Sequence, residues 1–111
     1  MSLFAGGNFD AAVAGTLSSD AITLQGNMLR ITTEAKTTAA HLAEDLVITN
    51  SLITAKSVVL CIVHNYAGAG DPSITRVNCA AGAATCVLLN NSATALDAAV
   101  VFDFLYLGEA A

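Results

Sequence analysis

The run SVVLCIVHNYAGAGDPSITRVNCAAGAATCVLLNNSATALDAAVVFDFLYL, residues 57–107, decides the fold. It divides into four strand-like segments, SVVLCIVHNY, SITRVNCA, ATCVLLNN and AAVVFDFLYL, separated by AGAGDP, GA and SATALD. Short β-branched segments punctuated by Gly, Asn and Pro build antiparallel sheets. Strands and turns recurring about every ten residues suit a sandwich or jelly roll. The fold class expected is therefore all-β, an antiparallel β-sandwich or jelly roll.

Within that run the first and last strands are the most informative. Val58, Leu60 and Ile62 share one face of the first, and Val59, Cys61 and Val63 the other. A strand apolar on both faces reads as central and covered on both sides, by the second sheet and by a neighbouring subunit or terminal arm. The last strand sets Val100, Phe102, Phe104 and Tyr106 against Val101, Asp103, Leu105 and Leu107. Aligned aromatics of this kind supply core area. Asp103, alone among apolar residues, reads as an intersubunit contact.

Upstream, AITL and MLRITTEA flank Gly26-Asn27, a dipeptide that suits a short hairpin. The stretch 34–46 carries two patterns. Ala35, Ala39, Leu42, Ala43 and Leu46 recur at helical spacing, whereas the threonine pairs and LVITNSLIT favour extended backbone. The reading adopted is a strand over 42–50 with 36–40 as its connection, a short helix being the competing pattern. Residues 1–20, rich in small residues and with Gly6, Gly7 and Gly15, read as an extended N-terminal arm. Too little can be buried there for it to fold alone. Residues 21–111 then form one sandwich domain, and 111 residues leave no room for a second.

Composition narrows the function. Charged residues make up 12% of the chain and hydrophobic ones 55%; an ordinary soluble domain carries roughly 25% charged residues. Few ions suit a surface that other subunits cover, because desolvating an unpaired charge is costly. A net charge of −5, with Arg30, Lys36, Lys56 and Arg76 scattered singly, offers no footprint for a phosphate backbone. No nucleic-acid partner is expected. Neither a basic n-region nor an apolar stretch of about 18 residues is present, so no export signal and no membrane partner are expected.

Cys61, His64, Cys79 and Cys86 are metal-ligand types, but Cys61 and His64, three apart on a strand, leave opposite faces, and paired C-x2-C knuckles are lacking. His41 and His64 accompany no nucleophile motif. Gly68 and Gly70 precede a strand rather than a helix, which makes YAGAGDP a turn and not a phosphate loop. Glu44-Asp45 is no spaced carboxylate pair. No catalytic residue, metal or cofactor is assigned. Three cysteines make no disulfide framework. A hairpin around AAGAAT would bring Cys79 and Cys86 opposite each other for a bond, while small buried thiols are the other reading.

Four segments carry a resemblance: TNSLITAKSVVL at 49–60, NYAGAGDPSITRV at 65–77, AAGAATCVLLNN at 80–91 and ALDAAVVFDFLYL at 95–107. Their order and spacing resemble those of small β-sandwich virion proteins of tailed phages, the capsid decoration or cement proteins among them. His41, Leu42, Cys79 and Cys86 depart from that pattern. The resemblance implies a non-enzymatic structural protein of the virion, assembled in the host cytoplasm. It would bind the capsid exterior as a homotrimer, with the major capsid protein and further copies of itself as partners. Leu3, Phe4 and Phe9 of the arm, with Asp103, would make capsid or intersubunit contacts. A fibre or tail module, binding host surface sugars through Asn65, Tyr66 and Asp71, is the alternative.

Overall fold

The computed structural model describes residues 13–110, and these form two four-stranded sheets packed face to face. In chain order the strands are β1 (Val13–Thr16), β2 (Ala21–Thr23), β3 (Met28–Ala35), β4 (Ala43–Thr49), β5 (Ser57–Asn65), β6 (Pro72–Ala80), β7 (Ala83–Asn90) and β8 (Ala99–Glu109). One sheet has the order β1-β3-β8-β5 and the other β2-β4-β7-β6. The β-sandwich expected from the sequence is the fold, with one refinement. The long strands pair antiparallel, but the short edges β1 and β2 pair parallel to β3 and β4.

The chain changes sheets at almost every step, because consecutive strands each turn one apolar face to the same core. Leu29 and Ile31 of β3, Leu46 and Ile48 of β4, Cys86 and Leu88 of β7, and Val100, Phe102 and Phe104 of β8 are buried in it. Alternation of period two carries that core, as the sequence indicates for β8. Among the described strands, only β6 and β7 form a tight hairpin, with Ala80 paired to Ala83 and Gly82 at φ 79° closing the turn. A positive φ at the second turn position suits glycine.

Three sequence expectations need correction or limits, and the strand read over 42–50 holds. Gly26-Asn27 joins strands of different sheets and makes no hairpin, since β2 pairs with β4 while β3 pairs with β1 and β8. The arm expected over 1–20 does not include 13–17: Val13–Thr16 is an edge strand and Leu17 is fully buried in the core. Leu3, Phe4 and Phe9 lie outside the described residues. β5 is an edge strand and not a central one; β8 and β7 hold the central places. Stretch 34–46 contains no helix, and β4 occupies the place read as a strand.

Cross-links between segments fix the ends of the sandwich. Lys36, buried, reaches Asp20 Oδ1 at 2.6 Å and Glu44 Oε1 at 3.2 Å, and Thr38 donates to Glu44. Burial works against the Lys36 charge, but hydrogen bonds to Asp20 and Glu44 outweigh it and hold the ammonium above its ordinary value. At one end the buried Asn90 amide donates to the carbonyls of Thr38, Ala39 and Thr94 and accepts from the backbone of Asp71 and Ser92. At the other, the buried Asn50 donates to the Gly26 carbonyl and accepts from Leu52 N–H.

Candidate functional site: the outer face of β5, β8 and β3

Edges of a sheet carry unpaired backbone groups, and natural proteins blunt them with short strands, prolines or charges. Three of the four edges here follow that rule. β1 and β2 have four and three residues, and β6 begins at Pro72 and shifts register beside Arg76. β5 departs from it. Nine residues long, with no proline or lysine, it pairs with β8 on one side only. Register shifts fall near its two ends, between Val58 and Val59 and between Val63 and Asn65, leaving a regular stretch between them.

On that stretch the side chains divide as the sequence indicates. Val59, Cys61 and Val63 pack toward the core, while Val58, Leu60 and Ile62 point outward and are 45%, 56% and 65% exposed. Among the described residues nothing covers this second face; the neighbouring subunit or arm that the sequence reading places over it lies outside them. Leu60 lies beside Leu105 of β8, which in turn lies beside Met28 of β3; Ile62 lies beside Asp103, which faces Arg30. Leu60, Ile62, Met28, Leu105, Arg30 and Asp103 line a shallow, mostly apolar depression of about 300 Å³.

Asp103 is held there by Arg30. The guanidinium donates from Nε to Oδ1 at 2.7 Å and from Nη2 to Oδ2 at 2.8 Å, a two-pronged pair. His64 Nδ1 stands 3.7 Å from the second oxygen. The Arg30 hydrogen bonds hold the Asp103 carboxyl below its ordinary value, against partial burial, and the charges of Arg30 and His64 add to this. Asp103 therefore enters any contact already neutralised by a partner in its own chain. The pair could be covered at less cost than an isolated carboxylate.

The other sequence-predicted sites fall elsewhere. Tyr66 is tied up within its loop: its hydroxyl donates to the Ala69 carbonyl and accepts from Asp97 N–H, and Asp97 accepts from Ala69 N–H. The Asp71 backbone is bonded to Asn90 and Asn91. Asn65 and Asp71 are exposed. Cys79 faces Ala84 and Cys86 faces Val77, so the hairpin register does not form the cross-strand Cys79–Cys86 pair. The two-residue turn sets that register, and it leaves these cysteines diagonal neighbours. All three cysteines are free.

No group of three or more His, Cys, Asp or Glu side chains gathers at metal-binding range among the described residues. Comparison with protein-family models, curated proteins and solved structures returned no match. The site therefore rests on its own geometry.

Proposed function

We propose that this chain is a non-enzymatic structural protein of a phage virion, a capsid decoration or cement protein that binds the outer surface of the head as a homotrimer. The observation that carries the reading is the exposed row Val58, Leu60 and Ile62 on a strand that stands at the edge of its sheet among the described residues. Such an edge invites another strand, and such a row invites an apolar partner. The low charge content and the self-neutralised Arg30–Asp103 pair support the same reading, since both lower the desolvation cost of being covered. The resemblance of residues 22–107 to virion proteins supplies the identity of the partners: the major capsid protein and other copies of the chain.

On this reading the mechanism is binding alone. Shallow contacts repeated by symmetry raise the cost of separating neighbouring capsid subunits, through multivalency. A fibre or tail module binding sugars through Asn65, Tyr66 and Asp71 has less support, because the Tyr66 hydroxyl and the Asp71 backbone are engaged within the protein.

Light scattering after size-exclusion chromatography tests the assembly half of the proposal. A trimer is expected, and a monomer at all concentrations would refute it. Copy number in source particles tests the location: several hundred copies indicate decoration, and a handful indicate a fibre or tail.

A further inference from the structure

Cys61 of β5 and Cys86 of β7 belong to different sheets, yet their sulfurs lie 3.8 Å apart inside the sandwich. We infer that Cys61 and Cys86 are a site of disulfide formation that links the two sheets. This inference does not rest on the proposed function, because both thiols face inward, on the side of β5 opposite Leu60 and Ile62.

Three observations bear on the pairing. Cys61 is opposite Phe104 on the inner face of β5, and Cys86, wholly buried, is opposite Leu46 and Val77 on the inner face of β7. Forming the bond requires the sulfurs to close to about 2.05 Å. Among the described residues β5 is hydrogen-bonded to a neighbouring strand on one side only, so it is the partner freer to make that adjustment. Cys79 is excluded by register: it is paired with Ala84, a diagonal away from Cys86 on the adjacent strand.

Access comes through the open side of the sandwich. β5 and β6 are the edges of their sheets, and between them runs a groove of about 640 Å³ lined in part by Cys61 and Cys79. A small disulfide such as oxidised glutathione can enter it. The Cys61 thiolate attacks one sulfur of the reagent, breaking its S–S bond, to form a mixed disulfide and release one thiolate. Cys86, behind Cys61, then attacks the Cys61 sulfur and displaces the second. The reagent gains two electrons, and the two protein protons pass to the two released thiolates. Burial and the Cys86 thiol push the Cys61 thiol well above its ordinary value, with Cys86 the larger cause, so the first step is slow.

The test is oxidation of the folded chain with oxidised glutathione, followed by alkylation and peptide mapping, with thermal melts before and after. The expected result is a Cys61–Cys86 cross-linked peptide with Cys79 still alkylated. The bond closes a 25-residue separation and should raise Tm by about 10 °C, reversibly on reduction. Cys79→Ala should leave the cross-link intact. A cross-link that includes Cys79, three alkylatable thiols after oxidation of the folded chain, or an unchanged Tm would each overturn the inference. Because the map is made on the native sequence, it does not depend on whether Cys61→Ala or Cys86→Ala folds.

Discussion

Arg30 and Asp103 face each other across the β3–β8 pairing and are joined by two hydrogen bonds on the face that also exposes Leu60 and Ile62. The pair lowers the Asp103 carboxyl below its ordinary 3.8 through the Arg30 hydrogen bonds. Its contribution to folding is therefore complete above about pH 4 and is lost as pH falls through the lower native value. Both groups are largely solvated, so the effect is small. Asp103→Asn should lower Tm at pH 7 by about 3 °C or less. In melts between pH 7 and pH 3, the gap between variant and parent should stay level to about pH 5 and close below about pH 4. A gap that widens in acid would refute this account of the pair.

Leu60→Asp and Ile62→Lys place charges on the exposed face of an edge strand without touching the core. Surface changes of this kind leave stability within about 0.5 kcal/mol. Each variant should keep the far-ultraviolet circular dichroism of the parent and a Tm within about 4 °C of it. Association measured by light scattering should fall at least tenfold, because the charge must be desolvated against an apolar partner. Normal assembly by the folded double variant would remove this face from the proposed interface.

Period-two alternation made the strands and the core readable from sequence: Val100, Phe102 and Phe104 lie on one face whichever strands stand beside them. Neighbour relations were not readable. β5 reads as central because both its faces are apolar, and that pattern cannot distinguish a strand covered on both sides from an edge strand with a bare outer face. The Cys61–Cys86 approach was hidden for a related reason, since it joins strands of different sheets and no spacing records which strands stack. Gly26-Asn27 carries the chemistry of a hairpin turn but not the information that the chain leaves its sheet there. Of the candidate site, Asp103 was visible as a charge among apolar residues, while Arg30, its partner 73 residues away, was not.

Asn90 illustrates a strand-ending residue whose larger role needs the fold. Its side chain bonds to five backbone groups from three segments and is wholly buried. Replacement by alanine removes the side-chain partner of the Thr94 carbonyl and of the Asp71 and Ser92 N–H groups, each at about 1–3 kcal/mol where water cannot enter, while the Thr38 and Ala39 carbonyls keep the N–H groups of Leu96 and Leu42. Asn90→Ala should therefore cost about 3 kcal/mol or more in urea unfolding. Asn90→Asp should be no better, since it removes the donor and buries a charge. A loss under about 1 kcal/mol for Asn90→Ala would mean that water replaces the amide.

Gly68 and Gly82 both sit in turns, and they should respond differently to alanine. At Gly82, φ is 79° and a Cβ would meet nothing within 4 Å, so Gly82→Ala bears only the left-handed backbone cost of about 1–2 kcal/mol. At Gly68 the positive-φ penalty does not arise, but a Cβ would come to 2.6 Å from the Tyr66 hydroxyl and 2.7 Å from Ala98 Cβ, and would also collide with Asp97 Oδ1. These are the groups that close the loop: Tyr66 binds Ala69 and Asp97, and Asp97 binds Ala69 N–H. The methyl cannot be accommodated without breaking at least one of those bonds, and Ala98 leads directly into the central strand β8. Gly68→Ala should thus lower stability by about 2–3 kcal/mol, more than Gly82→Ala. Exchange of the Ala69 and Asp97 amides should accelerate in the Gly68 variant and stay unchanged in the Gly82 variant. The reverse order of stabilities would show that backbone conformation, and not the Tyr66–Asp97 closure, governs this end of the sandwich.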